Sequence, residues 1–248
     1  MRVFFGSILN SIAGGGTFIT FPALIFVGVP PISANATNTF ASCSGYLSGA
    51  YAFRHELQAH KHELPKFIFV SFVGGIAGAL LLLQTPETVF REIIPWLMLF
   101  ATLVFSFGTK LNGALRHIAS GHRHASLIGK ALALLLLLGV CVYGGFFNAG
   151  LGIIVLSYLA LSGHTNINAM NGLKLLVSSC VSLVAIVLFI HHGLIAWSEG
   201  VAILLGTLTG GYMAARISRL VPQSYIRGFV IIASIAVTAY FFYDLYTL

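Results

Sequence analysis

Apolar residues run along this chain in long, almost uncharged blocks separated by short polar stretches. The blocks fall at about 3–13, 17–29, 36–53, 67–84, 93–107, 127–147, 153–163, 166–190, 199–214 and 228–243. A helix needs roughly 20 apolar residues to cross the hydrocarbon of a bilayer, with about 17 as the lower end. The pieces flanking Gly16, and the one after Gly152, are too short to cross separately, so each pair predicts a broken or re-entrant unit in which two half-helices meet at glycines. The run Gly14-Gly15-Gly16 is costly in a helix, each glycine by about 1 kcal/mol relative to alanine. Irregular backbone at membrane depth persists only where protein or a water-filled cavity satisfies its polar groups. The breaks therefore predict a binding site, which a plain membrane anchor would not carry.

The polar connections lie at 54–66, 85–92, 109–126, 191–198 and 215–227. Three are basic: the first through Arg54, Lys61 and Lys66, the third through Lys110, Arg116 and Arg123, the last through Arg216, Arg219 and Arg227. Placing all three in the cytoplasm, as the positive-inside rule asks, requires an even number of crossings between each pair. The glycine-broken unit after Ser126 must then contribute zero or two crossings, entering and returning on one side.

An internal match at a spacing of 136 residues supports this layout. Ala13, Gly14 and Gly16 match Ala149, Gly150 and Gly152; Ser42, Leu47, Phe53 and His55 match Ser178, Leu183, Phe189 and His191. Pro86, Arg91, Thr102 and Phe105 match Pro222, Arg227, Thr238 and Phe241. The expected architecture is an all-α polytopic membrane protein of two inverted repeats with glycine-broken or re-entrant helices, about 8 membrane segments in all. One transmembrane transporter domain covers 1–248, with repeat one at about 1–107, a cytoplasmic linker at about 108–126 and repeat two at about 127–248. Only thirteen residues precede Gly14, against about twenty apolar ones before the second break. The first helix is therefore expected to be short at its N-terminus, as an upstream start codon would make it.

Composition agrees. Hydrophobic residues make up 58% and charged residues 8% of the chain, against about 25% charged in soluble domains, and mean hydropathy is +0.95. The net charge of +7 sits in the connections, where sorting across the membrane explains it and nucleic acid binding is not implied. Cys43, Cys141 and Cys180 fall in apolar blocks without CxxC spacing, which argues against a disulfide framework or zinc site. No cleavable signal is recognisable at the start of the chain.

Lys174 is the sharpest single residue, the one formal charge between Ala131 and Ser198 and about two turns into its block. An ionisable residue inside a membrane helix is rare and faces a cavity or partner. No acidic residue is nearby in sequence, so a bound anion is a natural partner; the bland alternative is a snorkelling lysine. Asn171 and Ser178 share its helix face, and the first half offers Thr37, Asn38 and Ser42. Half-helix N-termini at the breaks attract anions, with Asn10, Thr17 and Asn148 as polar neighbours of Gly14–Gly16 and Gly150/Gly152. Gly74/Gly78 and Gly206/Gly210 instead read as tight helix-packing positions. The loop histidines His55, His60, His62, His117, His122 and His124 read as solvated, Glu199 as a helix-start carboxylate, and Arg91 and Arg227 as headgroup contacts. No hydrolase triad, HExxH or phosphate loop is present, and no cofactor or metal is expected.

The residues Asn10-Ser11-Ile12-Ala13-Gly14-Gly15-Gly16, Pro22-Ala23-Leu24, Gly28, Pro31 and Ala34-x-Ala36-Thr37-Asn38 resemble the first-half signature of the TauE/SafE sulfite-exporter family, also called TSUP. The second half resembles it through Gly145-x-x-x-Ala149-Gly150-x-Gly152, Ala169-x-x-Gly172-x-Lys174 and Leu205-Gly206-x-x-x-Gly210-Gly211-x-x-x-Ala215-Arg216. The resemblance implies a multi-pass permease of the bacterial inner membrane for small anions such as sulfite and organosulfonates. It carries the family's second-half lysine onto Lys174. Members often have an acidic residue where Asn10 stands and a lysine where Thr39 stands, so coupling or substrate differs if those groups matter.

The expected function is secondary transport of a small anion by alternating access, with Lys174, Gly14, Gly15, Gly16, Thr17, Thr37, Asn38, Asn148, Gly150, Gly152, Asn171 and Ser178 forming the site. Direction, a proton or sodium coupling ion and oligomeric state stay open. A channel-like conductor is one alternative; an intramembrane thiol relay through Cys43 and Cys180 is another.

Overall fold

The computed structural model describes residues 17–120, 127–206 and 223–247. In chain order the helices are α1 Thr17–Phe26, α2 Pro31–Ala52, α3 Arg54–Ala59, α4 Leu64–Gln84, α5 Glu87–Ser120, α6 Leu127–Phe146, α7 Leu151–Leu161 and α8 Ile167–His191. They are followed by α9 Trp197–Gly206 and α10 Gln223–Thr247. No strand forms among the described residues. Segments in α4, α5, α8 and α10 are long and apolar enough to span a bilayer. Helix α2 has 22 residues and no formal charge, but its Asn, Ser and Thr residues lower its hydropathy.

Two boundaries differ from those read off hydropathy. Helix α2 begins at Pro31, ahead of the apolar block at 36, because proline suits the first helical turn and the Glu87 carboxylate accepts from the Ile32 N–H at 3.2 Å. That acceptor also complements the positive end of the helix dipole. Helix α5 continues to Ser120, so the connection expected from Thr109 begins as helix. The 54–66 connection holds the short helix α3.

Helices α4 and α6 run side by side in the same direction: Gly74 abuts Leu138 and Cys141, and Gly78 abuts Val142 and Phe146. A Cβ on Gly78 would stand 2.1 Å from the Val142 carbonyl oxygen, so the two backbones touch only because that position has no side chain. Gly74 and Gly78 are thus the packing residues their spacing suggests. Helix α7 folds back along α6. Its first residue, Leu151, packs on Gly144 near the end of α6, whereas Tyr158 reaches Phe67 at the start of α4 with ring centroids 6.4 Å apart. The chain therefore reverses between Phe146 and Leu151, as a re-entrant unit must.

Helices α2 and α8 cross antiparallel. Thr37 meets Ala196 just beyond α8, Gly49 lies against Leu175, and Phe53 and Leu57 lie against Gly172. The starts of α2 and α8 are 136 residues apart, and so are the starts of α5 and α10. Thr102 on α5 and Thr238 on α10 bring their hydroxyl oxygens within 3.5 Å across that same separation, both buried.

Candidate functional site around the second helix break

Glycine opens the turn at the break: Gly150 has φ of +76°, a left-handed conformation that costs other residues roughly 1–2 kcal/mol. The polar groups that the break frees are taken up by side chains from three helices. Asn35 Nδ2 of α2 donates to the Phe146 carbonyl at 2.9 Å, and the Tyr143 hydroxyl of α6 donates to the Ala149 carbonyl at 2.6 Å. Asn148, 1% exposed, donates through Nδ2 to Ser182 Oγ of α8 at 3.2 Å. Its Oδ1 accepts from the Tyr46 hydroxyl of α2 at 3.4 Å. The irregular backbone is thereby satisfied by protein, the condition for keeping it at membrane depth. By its contacts with Gly78, the end of α6 sits about two-thirds of the way along the 21-residue α4.

Beyond the break, α7 starts without a side-chain cap. The stem of Lys174 lies over this start: a Cβ on Gly152 would stand 3.3 Å from Lys174 Cδ. Lys174 Nζ donates to Asn171 Oδ1 at 3.2 Å, one turn back on α8. Lys174 is seven residues in from the start of α8, about 10 Å along the axis. Within the described residues the acid–base contact is His164 Nε2 with Glu63 Oε2, at 2.9 Å, and no carboxylate reaches Lys174. All six acidic residues of the chain are at loops or helix ends: Glu56, Glu63, Glu87, Glu92, Glu199 and Asp244.

The structure gathers Lys174, Asn171, Gly150 and Gly152 at one break and Asn148 beside it. Ser178 is buried one turn beyond Lys174 on α8. It does not bring Thr37 and Asn38 to Lys174. Thr37 Oγ1 accepts from the Ala196 N–H at 2.9 Å, and Asn38 Oδ1 accepts from Thr20 Oγ1 at 2.5 Å. Gly49 is the residue of α2 that lies level with Leu175, and Asn38 stands eleven residues before it, about 16 Å along the axis. Thr17 is buried at the start of α1. Gly14, Gly15 and Gly16 lie outside the described residues.

Five residues at the break or its counterpart escaped the sequence reading: Asn35, Tyr46, Tyr143, Ser182 and Thr20. Asn35, Tyr46 and Ser182 would have emerged from extending the 136-residue match. It pairs Asn35 with Asn171, Asn38 with Lys174, Ser42 with Ser178 and Tyr46 with Ser182. These form the same polar stripe, at steps of three and four residues, on α2 and on α8. Asn148 bonds the final member of each stripe.

A helical bundle with several bilayer-length apolar helices, turning back on an internal break, is the build of a polytopic membrane protein. The chain belongs to the sulfite exporter TauE/SafE family, whose model matches residues 2–241. It is 31% identical over 239 residues to "Probable membrane transporter protein YfcA" of Escherichia coli K12, covering 95% of this chain and 85% of the relative. It is 30% identical over 242 residues to "Probable membrane transporter protein" of Haemophilus influenzae, covering 97% and 92%. A Sinorhizobium relative, "Probable membrane transporter protein ORF9", is 29% identical over 241 residues, covering 95% and 88%. No solved structure matches the chain.

Proposed function

We propose that this protein is a secondary transporter that carries a small anion, sulfite or a related organosulfur or organic anion, across the bacterial inner membrane by alternating access. The observation that carries the reading is Lys174: an ammonium on a bilayer-length helix, packed over the first turn of a half-helix, with an amide as its partner and no carboxylate. A helix start without a side-chain cap and a nearby cation both favour negative charge. The family and the names of the relatives support transport rather than catalysis.

The two polar stripes and the antiparallel crossing of α2 with α8 support two repeats of opposite orientation, with boundaries near 107 and 127. This is a recurrent plan of secondary transporters, in which discontinuous helices meet substrate between the repeats. In this reading the basic connections face the cytoplasm. Gly150, Gly152, Asn171 and Asn148 complete the anion site. Asn38, Thr17 and Thr37 belong to the corresponding position of the first repeat, and Ser178 continues the stripe beyond Lys174.

The test is uptake of labelled sulfite, methanesulfonate or acetate by proteoliposomes holding the purified full chain. Lys174→Ala removes a charge-assisted contact worth about 1.5–3 kcal/mol, so half-saturation should rise roughly tenfold to a hundredfold while insertion is unchanged. Unchanged flux removes Lys174 from the site. Linear, non-saturating flux without counterflow identifies a channel instead.

A further inference from the structure

We infer that the Lys174 site exchanges monovalent anions one for one, crossing the membrane slowly when it is empty or loaded with a dianion. The inference deepens the anion-carrier reading above and rests on it. Its basis is a charge count. Helices α1, α2, α7 and α8 together carry one formal charge, Lys174, with histidine counted as neutral. The Lys174 ammonium has the neutral Asn171 amide as its hydrogen-bond acceptor at 3.2 Å. Its counterpart on the other stripe is Asn38, a neutral amide 1% exposed and paired with the Thr20 hydroxyl. Among the described residues nothing at that mirrored position supplies a second cation for a dianion, or an anion to neutralise Lys174 when the site is empty.

The site therefore carries a net charge of about +1 empty, 0 with a monovalent anion and −1 with a divalent one. An uncompensated unit charge at membrane depth is opposed by a penalty equivalent to roughly a hundredfold in rate. The neutral, singly loaded state escapes this penalty in both directions. Reorientation then requires an anion on the outward and on the return stroke, which is exchange. Because the loaded site is neutral, its crossing moves no net charge.

The experiment uses proteoliposomes with the full chain and labelled sulfite, methanesulfonate or acetate outside. Uptake is compared between vesicles preloaded with the same anion and vesicles holding buffer without small anions. Preloading should accelerate uptake of the transported probe roughly a hundredfold, and a potassium diffusion potential should leave the exchange rate unchanged. Sulfate should exchange far more slowly than methanesulfonate. Lys174→Gln should lower exchange and bring the ratio of preloaded to empty uptake towards one. Lys174→Arg keeps the charge and should preserve the ratio, which guards against a folding defect in the glutamine variant.

Rapid uptake into empty vesicles that Lys174→Ala still abolishes would overturn exchange while leaving the anion carrier intact, whether or not protons accompany the anion. Equal exchange of sulfate and methanesulfonate overturns the charge selectivity. Absence of Lys174-dependent flux with every probe overturns the carrier reading and the exchange together.

Discussion

Three glycine-to-alanine substitutions separate packing from function with the same added atom. At Gly78 the new Cβ would stand 2.1 Å from the Val142 carbonyl oxygen, 2.7 Å from the Phe146 nitrogen and 2.9 Å from the Gly145 Cα. All three neighbours are backbone, so no side-chain rotation relieves the clash. Restoring contacts of roughly 3.5 Å means parting α4 from α6 by about 1 Å or more just below the break. Overpacking of this kind destabilises by about 1–3 kcal/mol, occasionally more. At Gly152 the nearest atom is Lys174 Cδ at 3.3 Å, the middle of a flexible stem, which can yield by a few tenths of an ångström. Alanine there also gains up to about 1 kcal/mol of helix propensity, so the fold should hold while the lysine is displaced. At Gly139 nothing lies within 4 Å, making it the control. Thermal unfolding in detergent should fall for Gly78→Ala only; anion flux per folded molecule should fall for Gly152→Ala and be retained for Gly139→Ala. If Gly152→Ala unfolds like Gly78→Ala, or transports like the parent, the placement of Lys174 over α7 is wrong.

Asn35→Leu leaves the Phe146 carbonyl without its donor and should destabilise by about 1–3 kcal/mol; an unchanged Tm would show that the break does not rely on α2. Gly150→Ala forces a side chain into φ of +76°, at about 1–2 kcal/mol, and sets its Cβ 3.3 Å from Ala101 Cβ. Thermal unfolding should report that loss, whereas wild-type stability would mean the turn adopts another conformation. Glu63→Gln removes the carboxylate that contacts His164, but the Glu63 side chain is 45% exposed. The effect on Tm should therefore correspond to no more than about 1 kcal/mol, and a larger drop would assign that pair a structural role.

The parts of this molecule legible in its sequence were those that leave a local mark. Gly150 and Gly152 announce a break because glycines in an apolar run oppose a continuous helix, and Lys174 stands out because charge is rare in such runs. The return of α7 along α6 followed from length and charge parity alone. What stayed hidden depends on contacts far apart in the chain: Asn35 and its acceptor Phe146 are separated by 111 residues. Residue type alone grouped Thr37 and Asn38 with Lys174. The antiparallel crossing of α2 and α8 sends equal positions on the two helices to opposite sides of the contact, and only the crossing direction reveals it. Likewise the start of α2 at Pro31 is fixed by Glu87 from another helix, which no hydropathy window can register.

The two stripes also explain why α2 falls short of the hydropathy of a membrane span while α8 does not. Both carry polar residues at the same four positions, but α2 adds Thr37 and Thr39 between them where α8 has Leu173 and Leu175. Thr39 returns its hydroxyl to the Asn35 carbonyl at 2.9 Å, and Thr37 accepts from Ala196. Their polar atoms are satisfied internally, so both stay buried without the penalty of an unpaired group. The surplus polarity of α2 is therefore structural. The charge difference between the two stripes reduces to position 38 against position 174, where α2 keeps a neutral amide and α8 places a cation against the start of a half-helix.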